Sequence, residues 1–471
     1  MNQCIKEMKL TIHGAARQVT GSMHLLEVGR YKILVDCGLD YEKDRSIQSN
    51  ENFPFDPAEI DVVVLTHAHI DHSGNLPTLV RMGFAGQILC TSPTADLTEL
   101  LLLDSVSLFM RKAQSGRKNR RGKFNSGSQP LYLQKHVMDT VEQFVTIGFN
   151  RPFRINGEIE LTFIPVGHLL GAAAAVFKVT EDGIEKSIAF TGDIGRKNYP
   201  VLDDPQPLPD VDYLVTEATY GGRLHTKDRS VEQTLMEAIE KACIKEQGRL
   251  IIPAFSIGRT QSLVYSLNKI FSSGLLPPVK VFVDSPLAMR STEVFRKYHN
   301  LVNAEAQDFY NRKGDEFEFD NLTYVENLKD SRQVSNYFEP CVIISSAGML
   351  DGGRIQDHLF HNIQNYYCTI LFIGYCAKGT LGHRLLRGDP IVHIKDRDLS
   401  VYATIKQTDV LSAHGDHDDL MNTVRQLHKE KLKNVFLVHG ELQSMQAFAD
   451  ALAEEGYPVV IPENGVTYLL D

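Results

Sequence analysis

His67-Ala68-His69-Ile70-Asp71-His72 constrains this chain more than any other stretch, because it sets three imidazoles and a carboxylate within six residues, directly after an apolar run ending at Thr66. Val62-Val63-Val64-Leu65 is short and rich in β-branched side chains, so it reads as a buried strand that delivers the cluster at its carboxyl end. Period-two spacing points His67 and His69 the same way. Nitrogen and carboxylate donors without a nearby thiolate suit an open catalytic metal site, in which water keeps a coordination position, better than a closed structural zinc site. The competing reading is a set of surface histidines, but the end of a buried strand gives such residues no packing reason to cluster.

The first half of the chain alternates short apolar strands, at 9–13, 23–28, 31–36, 62–65 and 87–91, with loops. Helical periodicity covers 97–110, 134–145, 230–247 and 259–271. Leu202-Asp203-Asp204-Pro205-Gln206-Pro207-Leu208-Pro209 places three prolines in eight residues and marks a boundary. Beyond it, strand-like runs at 248–255, 279–283, 341–345 and 369–374 alternate with helices and glycine-rich turns, which predicts a second, parallel sheet. Another boundary is expected near 385. At 471 residues the chain has length for two or three domains.

Composition bears on partners and compartment. No apolar run approaches the ~18 residues of a membrane span. The seven cysteines are scattered and the first residues lack an apolar signal core, so a reducing cytoplasm is expected. The formal net charge of -10 speaks to solubility and steering; RNA binding depends on local patches and is compatible with it.

Two metals about 3.5–4 Å apart need more ligands than residues 67–72 supply. Three further residues recur in one context, after an apolar strand and beside glycine: Gly167-His168, Gly192-Asp193 and His439-Gly440. Glycine there lets the backbone pass close to an ion. Singly each is an ordinary loop residue; together they extend the donor set.

These residues carry a family resemblance. The 67–72 cluster, with Asp36 of Leu34-Val35-Asp36-Cys37-Gly38 before it and His168 and Asp193 after it, resembles the metallo-β-lactamase fold in the order that family uses. The second half resembles the β-CASP nucleases: Thr216-Glu217-Ala218-Thr219-Tyr220-Gly221, Pro253-Ala254-Phe255-Ser256-Ile257-Gly258-Arg259-Thr260-Gln261, Ser346-Ala347-Gly348-Met349-Leu350-Asp351-Gly352-Gly353, Gly379-Thr380-Leu381-Gly382, Ser412-Ala413-His414 and His439-Gly440-Glu441. Among them the chain is similar to the bacterial RNA nucleases related to the cleavage and polyadenylation endonuclease subunit. The resemblance implies an α/β architecture: a metallo-β-lactamase αββα sandwich over 1–208 and 386–471, with a β-CASP α/β domain inserted at 209–385. It also implies two Zn2+, with His67, His69 and His168 on one, Asp71, His72 and His439 on the other, Asp193 bridging, and Asp36 orienting ligands from behind. His414 would be the general acid, held by Glu217, with Asp71 also catalytic.

The implied activity is a zinc-dependent ribonuclease, endo or 5′-exo, leaving 5′-phosphate and 3′-OH ends. A DNA-directed β-CASP nuclease and a small-molecule metallo-hydrolase are the alternatives. The former would more often carry an apolar residue where this chain has His439, and the latter has no need of the insert. Single-stranded RNA is the expected partner, with a homodimer open and no membrane. Arg259, Ser346, Gly348, Lys378 and Thr380 are candidates for substrate contact, through backbone amides of the glycine-rich turns and two cations. Residues 111–123 hold seven basic residues and no acid, and read either as a clamp on RNA backbone or as a solvated loop. Two positions depart from the family pattern: Gln18, where an acidic residue is common, and His383, where arginine is usual.

Overall fold

The computed structural model describes residues 7–41, 47–118, 129–181, 183–226 and 228–471. The chain forms two compact units. The first contains two seven-stranded sheets. One has the order Thr467–Leu470, Met8–Ile12, His24–Val28, Tyr31–Val35, Val62–Val64, Gln87–Cys90, Phe144–Thr146. It is antiparallel through Tyr31–Val35 and parallel beyond. The other runs Val459–Val460, Asn434–Val438, Tyr213–Glu217, Ile184–Phe190, Ala173–Glu181, Ile159–Pro165, Phe153–Arg154.

Alternation along the strands explains how the sheets pack. Ile33 and Val35 enter a core shared with Phe163, Phe177, Phe190, Val215 and Phe436 of the second sheet. Leu34 and Val63 point the other way, onto Leu76 and Leu79 of the helix Leu76–Arg81. Helix Leu442–Glu454 brings Met445 and Phe448 into the interior beside strand Asn434–Val438. This is the expected αββα sandwich, and its interleaved apolar faces are its main source of stability.

The second unit is built on a six-stranded sheet ordered Leu322–Tyr324, Lys280–Asp284, Cys341–Ser345, Arg249–Pro253, Cys368–Phe372, Thr404–Gln407. All its pairings are parallel, as the doubly buried strand sequences predict. The units divide elsewhere than at 208/209 and 385/386. Asn198–Asp203 and His225–Ala413 make up the second unit, while Asp204–Leu224 belongs to the first. Pairing is the reason: Tyr213–Glu217 lies between Ile184–Phe190 and Asn434–Val438, and Thr404–Gln407 extends the second unit's sheet beside Cys368–Phe372.

Two helix expectations also shift. The helix expected over 134–145 ends at Val141, and Phe144–Thr146 pairs as a strand with Gln87–Cys90. The helix expected over 97–110 spans Ser92–Lys118 and so takes in the start of the basic stretch, whose residues 119–123 lie outside those described. Among the described residues, no helix is long and apolar enough to cross a membrane.

Candidate metal centre

Every expected ligand lies at a carboxyl end of a strand in the first unit or just beyond it. His67 and His69 follow Val62–Val64, Asp71 and His72 sit on the single turn Ile70–Ser73, His168 follows Ile159–Pro165, Asp193 follows Ile184–Phe190, and His439 follows Asn434–Val438. Two glycines permit the convergence. A Cβ on Gly38 would fall 1.6 Å from the Asp71 carbonyl oxygen, and one on Gly195 would fall 2.2 Å from the Gly167 carbonyl carbon. The chain segments carrying Asp36, Asp71 and His72, and those carrying His168 and Asp193, therefore lie backbone against backbone.

The donor atoms gather in two groups: His67, His69, His168 and Asp193, and Asp71, His72 and His439. In the first, His69 Nδ1 lies 3.1 Å from both His67 Nε2 and His168 Nε2. Asp193 Oδ2 is 3.5 Å from each of those Nε2 atoms. One proton on His69 could satisfy only one of the two nitrogen contacts. A shared cation satisfies all four atoms, since ligands about 2.0–2.1 Å from a tetrahedral zinc lie roughly 3.3–3.4 Å apart. In the second group, His439 Nε2 is 3.5 Å from Asp71 Oδ2, and His72 Nε2 approaches Asp193 Oδ1 at 3.3 Å. Asp193 Oδ1 is buried without a hydrogen-bond partner. A buried carboxylate oxygen in that condition is costly unless a cation takes it. The residues present thus fit a metal.

Protonation agrees with this. Burial holds His67 well below its ordinary pKa and His69 down at about 4, leaving both neutral and able to ligate. Burial alone would raise Asp193, but His439, His72, His67 and His414 around it hold it well below the carboxylate range. Burial likewise opposes ionisation of Asp71, and His439 outweighs it. For His72, burial is overcome by Asp193 and Asp36, which raise its pKa well above the ordinary value, so proton and cation compete for its Nε2.

Behind the donor atoms lies Asp36. Its Oδ2 lies 2.7 Å from His72 Nδ1, and its oxygens accept from the Thr66 amide and hydroxyl at 2.8 and 2.9 Å. His414 and Glu217 also meet. His414 Nδ1 is 3.1 and 3.3 Å from the Glu217 oxygens, which also accept from the Ile194 and Thr219 amides at 2.6 and 3.3 Å. A β-bridge joins His414 to Gly195, two residues beyond Asp193. This small linkage fixes an imidazole 3.9 Å from Asp193.

Residues 16–242 match the metallo-beta-lactamase superfamily, 260–385 the Beta-Casp domain, and 398–462 the Zn-dependent metallo-hydrolase RNA specificity domain. Ribonuclease TTHA0252 of Thermus thermophilus is 30% identical over 97% of this chain and 99% of its own length. The chain belongs to the metallo-β-lactamase β-CASP ribonuclease family. It is therefore a metal-dependent hydrolase of the ribonuclease class. Endoribonuclease YSH1 of Candida glabrata is 28% identical over 93% of this chain and 55% of its own. A protein of unknown function from Enterococcus faecalis shares the fold at a TM-score of 0.53, with 14% identity, over 98% of this chain and 100% of that one.

The substrate candidates of this β-CASP ribonuclease all lie in the second unit. The Arg259 guanidinium stacks on the Phe255 ring at 4.8 Å, Gly348 faces the same ring, and Ser346 Oγ donates to Ser285 Oγ at 3.1 Å. Thr380 caps the helix Leu381–Leu386, whose Gly382 amide donates to the Met349 carbonyl, so the two glycine-rich turns meet. Lys378 is exposed. Gln18 is a structural contact: its side chain donates to Asp40 and the Thr20 carbonyl, and its carbonyl accepts from the Gly440 amide. Two residues the sequence did not single out touch ligands directly. Thr66 lies 3.1 Å from His67 Nδ1 and Thr219 lies 3.0 Å from His439 Nδ1. Their only sequence signal is position, one directly before the histidine cluster and one inside the Glu217 motif.

Proposed function

We propose that this chain hydrolyses single-stranded RNA with two zinc ions, leaving 5′-phosphate and 3′-OH ends. His67, His69, His168 and Asp193 would hold one ion, and Asp71, His72 and His439 the other, with Asp193 shared. Bound zinc supplies Lewis acidity toward phosphoryl oxygens and brings deprotonation of water toward neutral pH. The chain's own residues do the rest. Glu217 fixes His414 through Nδ1, which leaves Nε2 to give its proton to the departing 3′ oxygen. Asp71, at 15% exposure the most accessible carboxylate of the donor set, can accept a proton from the attacking water. In the second unit, the turns at 346–353 and 378–382, with Arg259 and Lys378, offer amides and positive charge to phosphates.

The observation that carries this reading is the His414–Glu217 contact beside Asp193. A hydrolase of a substrate with a good leaving group has no use for a proton donor fixed there. The test is metal analysis of active protein together with sizing of products from end-labelled single-stranded RNA and DNA. Two zinc ions per chain and RNA fragments with the stated ends are expected. Active protein free of transition metal, or cleavage of DNA alone, would refute the proposal.

A further inference from the structure

Thr66 and Thr219 each have one hydroxyl proton and two candidate partners, which fixes where the protons lie. Thr66 Oγ1 is 2.9 Å from Asp36 Oδ2 and 3.1 Å from His67 Nδ1. The carboxylate can only accept, so the hydroxyl proton goes to Asp36. The His67 contact then requires Nδ1 to carry a proton, which leaves Nε2 bare, facing His69 and Asp193. Thr219 repeats the device. Its Oγ1 is 3.0 Å from the His439 carbonyl, which can only accept, and 3.0 Å from His439 Nδ1, which must therefore donate. On a neutral imidazole, the form a cation requires, this leaves His439 Nε2 bare toward Asp71, 3.5 Å away, with Nδ1 also 3.5 Å from Asp193 Oδ1. The threonines come from distant parts of the chain, yet each serves one imidazole in a different ligand group.

We propose that the hydroxyls of Thr66 and Thr219 are positioning groups that fix the tautomers of His67 and His439, and so set the affinities of the two metal positions separately. This rests on the metal reading above. Asp36 joins the two groups from behind, since the oxygen that receives the Thr66 hydroxyl also lies against His72 Nδ1. Valine preserves the shape of threonine but removes the hydroxyl; serine keeps the hydroxyl and loses the methyl group.

The experiment uses the full chain as wild type, Thr66→Val, Thr66→Ser, Thr219→Val and Thr219→Ser. Zinc release is followed against a chelator of known affinity, and thermal unfolding is recorded with zinc and with chelator. Each valine variant should hold one of its two zinc ions about 10- to 100-fold more weakly, with the other unchanged. Each serine variant should bind close to wild type and match its unfolding temperature in chelator, whereas Thr66→Val, which loses a hydrogen bond to the buried Asp36 carboxylate, should unfold lower than Thr219→Val there although the two lose affinity alike. Valine variants that titrate like wild type would overturn the proposal. So would serine variants as weak as the valine ones, or a fall in the chelated unfolding temperature that tracks the lost affinity, since either would make the role one of packing. A wild-type chain that takes up no zinc overturns the metal reading itself, and this inference with it.

Discussion

The contact between His414 and Glu217 makes a quantitative prediction. Removing a positioned proton donor slows a reaction by roughly 10²–10⁴-fold, about 3–5 kcal/mol of transition-state stabilisation, so His414→Ala should fall in that range with its zinc retained. Glu217→Gln acts indirectly. The Glu217 oxygens serve the Ile194 amide, the Thr219 amide and His414 Nδ1, all donors. An amide group cannot accept at its nitrogen, so one donor loses its acceptor whichever way the side chain turns. A hydrogen bond to a charged group contributes about 1.5–3 kcal/mol, which corresponds to a rate loss of roughly 10- to 150-fold. The double variant should then be no slower than His414→Ala alone, because Glu217 acts through His414. The assay is single-turnover cleavage of end-labelled RNA at saturating enzyme, with zinc measured on the same samples. A nitrophenyl phosphodiester, whose leaving group needs no proton, should be hydrolysed at nearly the wild-type rate by all three. Additive losses in the double variant would refute the linkage, and loss of zinc on His414→Ala would make that residue a ligand.

Other perturbations have outcomes as definite. Gly38→Ala drives a Cβ into the Asp71 carbonyl, where no flexible side chain can yield. It should therefore lower the unfolding temperature and strip zinc from the Asp71 group, and a variant with normal stability and metal content would contradict the packing argument. Arg259→Ala and Lys378→Ala should each weaken RNA binding by chelated protein and reduce the slope of log affinity against log salt by about 0.7; an unchanged slope would remove that residue from the phosphate contacts. His24, buried against Phe190, has its pKa lowered to about 3 by burial. Below pH 6.5 the unfolded chain takes up a proton there that the folded chain refuses, so stability is lost as pH falls from about 6.5 toward 3, by about 2 kcal/mol between pH 7 and pH 5. His24→Phe should flatten that part of the acid denaturation profile of chelated protein, and an unaltered profile would show that His24 is not the group responsible.

Much of this was legible in the residues. The β-branched run before His67 and the glycines beside His168, Asp193 and His439 announced strand ends, because short buried strands and close backbone approach each leave a compositional mark. The domain limits were less legible. The prolines at 205, 207 and 209 signal a linker, but Tyr213–Glu217 joins its sheet through strands that precede and follow the insert, and nothing local in those five residues names their neighbours. The strand Phe144–Thr146 was lost for a related reason, since a helical period running into it masked a tertiary pairing. Thr66 and Thr219 were unreadable as positioning groups because a hydroxyl's role depends on which acceptor and which donor it lies between. That is a property of the folded geometry alone.

The order in which the first unit is threaded has a consequence for the chain's birth. Its first and last described strands pair Met8 with Leu470, and Asn434–Val438 must slot in between Tyr213–Glu217 and Val459–Val460. The nascent polypeptide therefore emerges with His67, His69, Asp71 and His72 long before His414 and His439 exist. During synthesis the amino-terminal half presents unpaired strand edges and a partial donor set, and long-range closure is the late, slow step. Until those last segments are made, the chain lacks both the His439 of the Asp71–His72–His439 group and the His414 that meets Glu217.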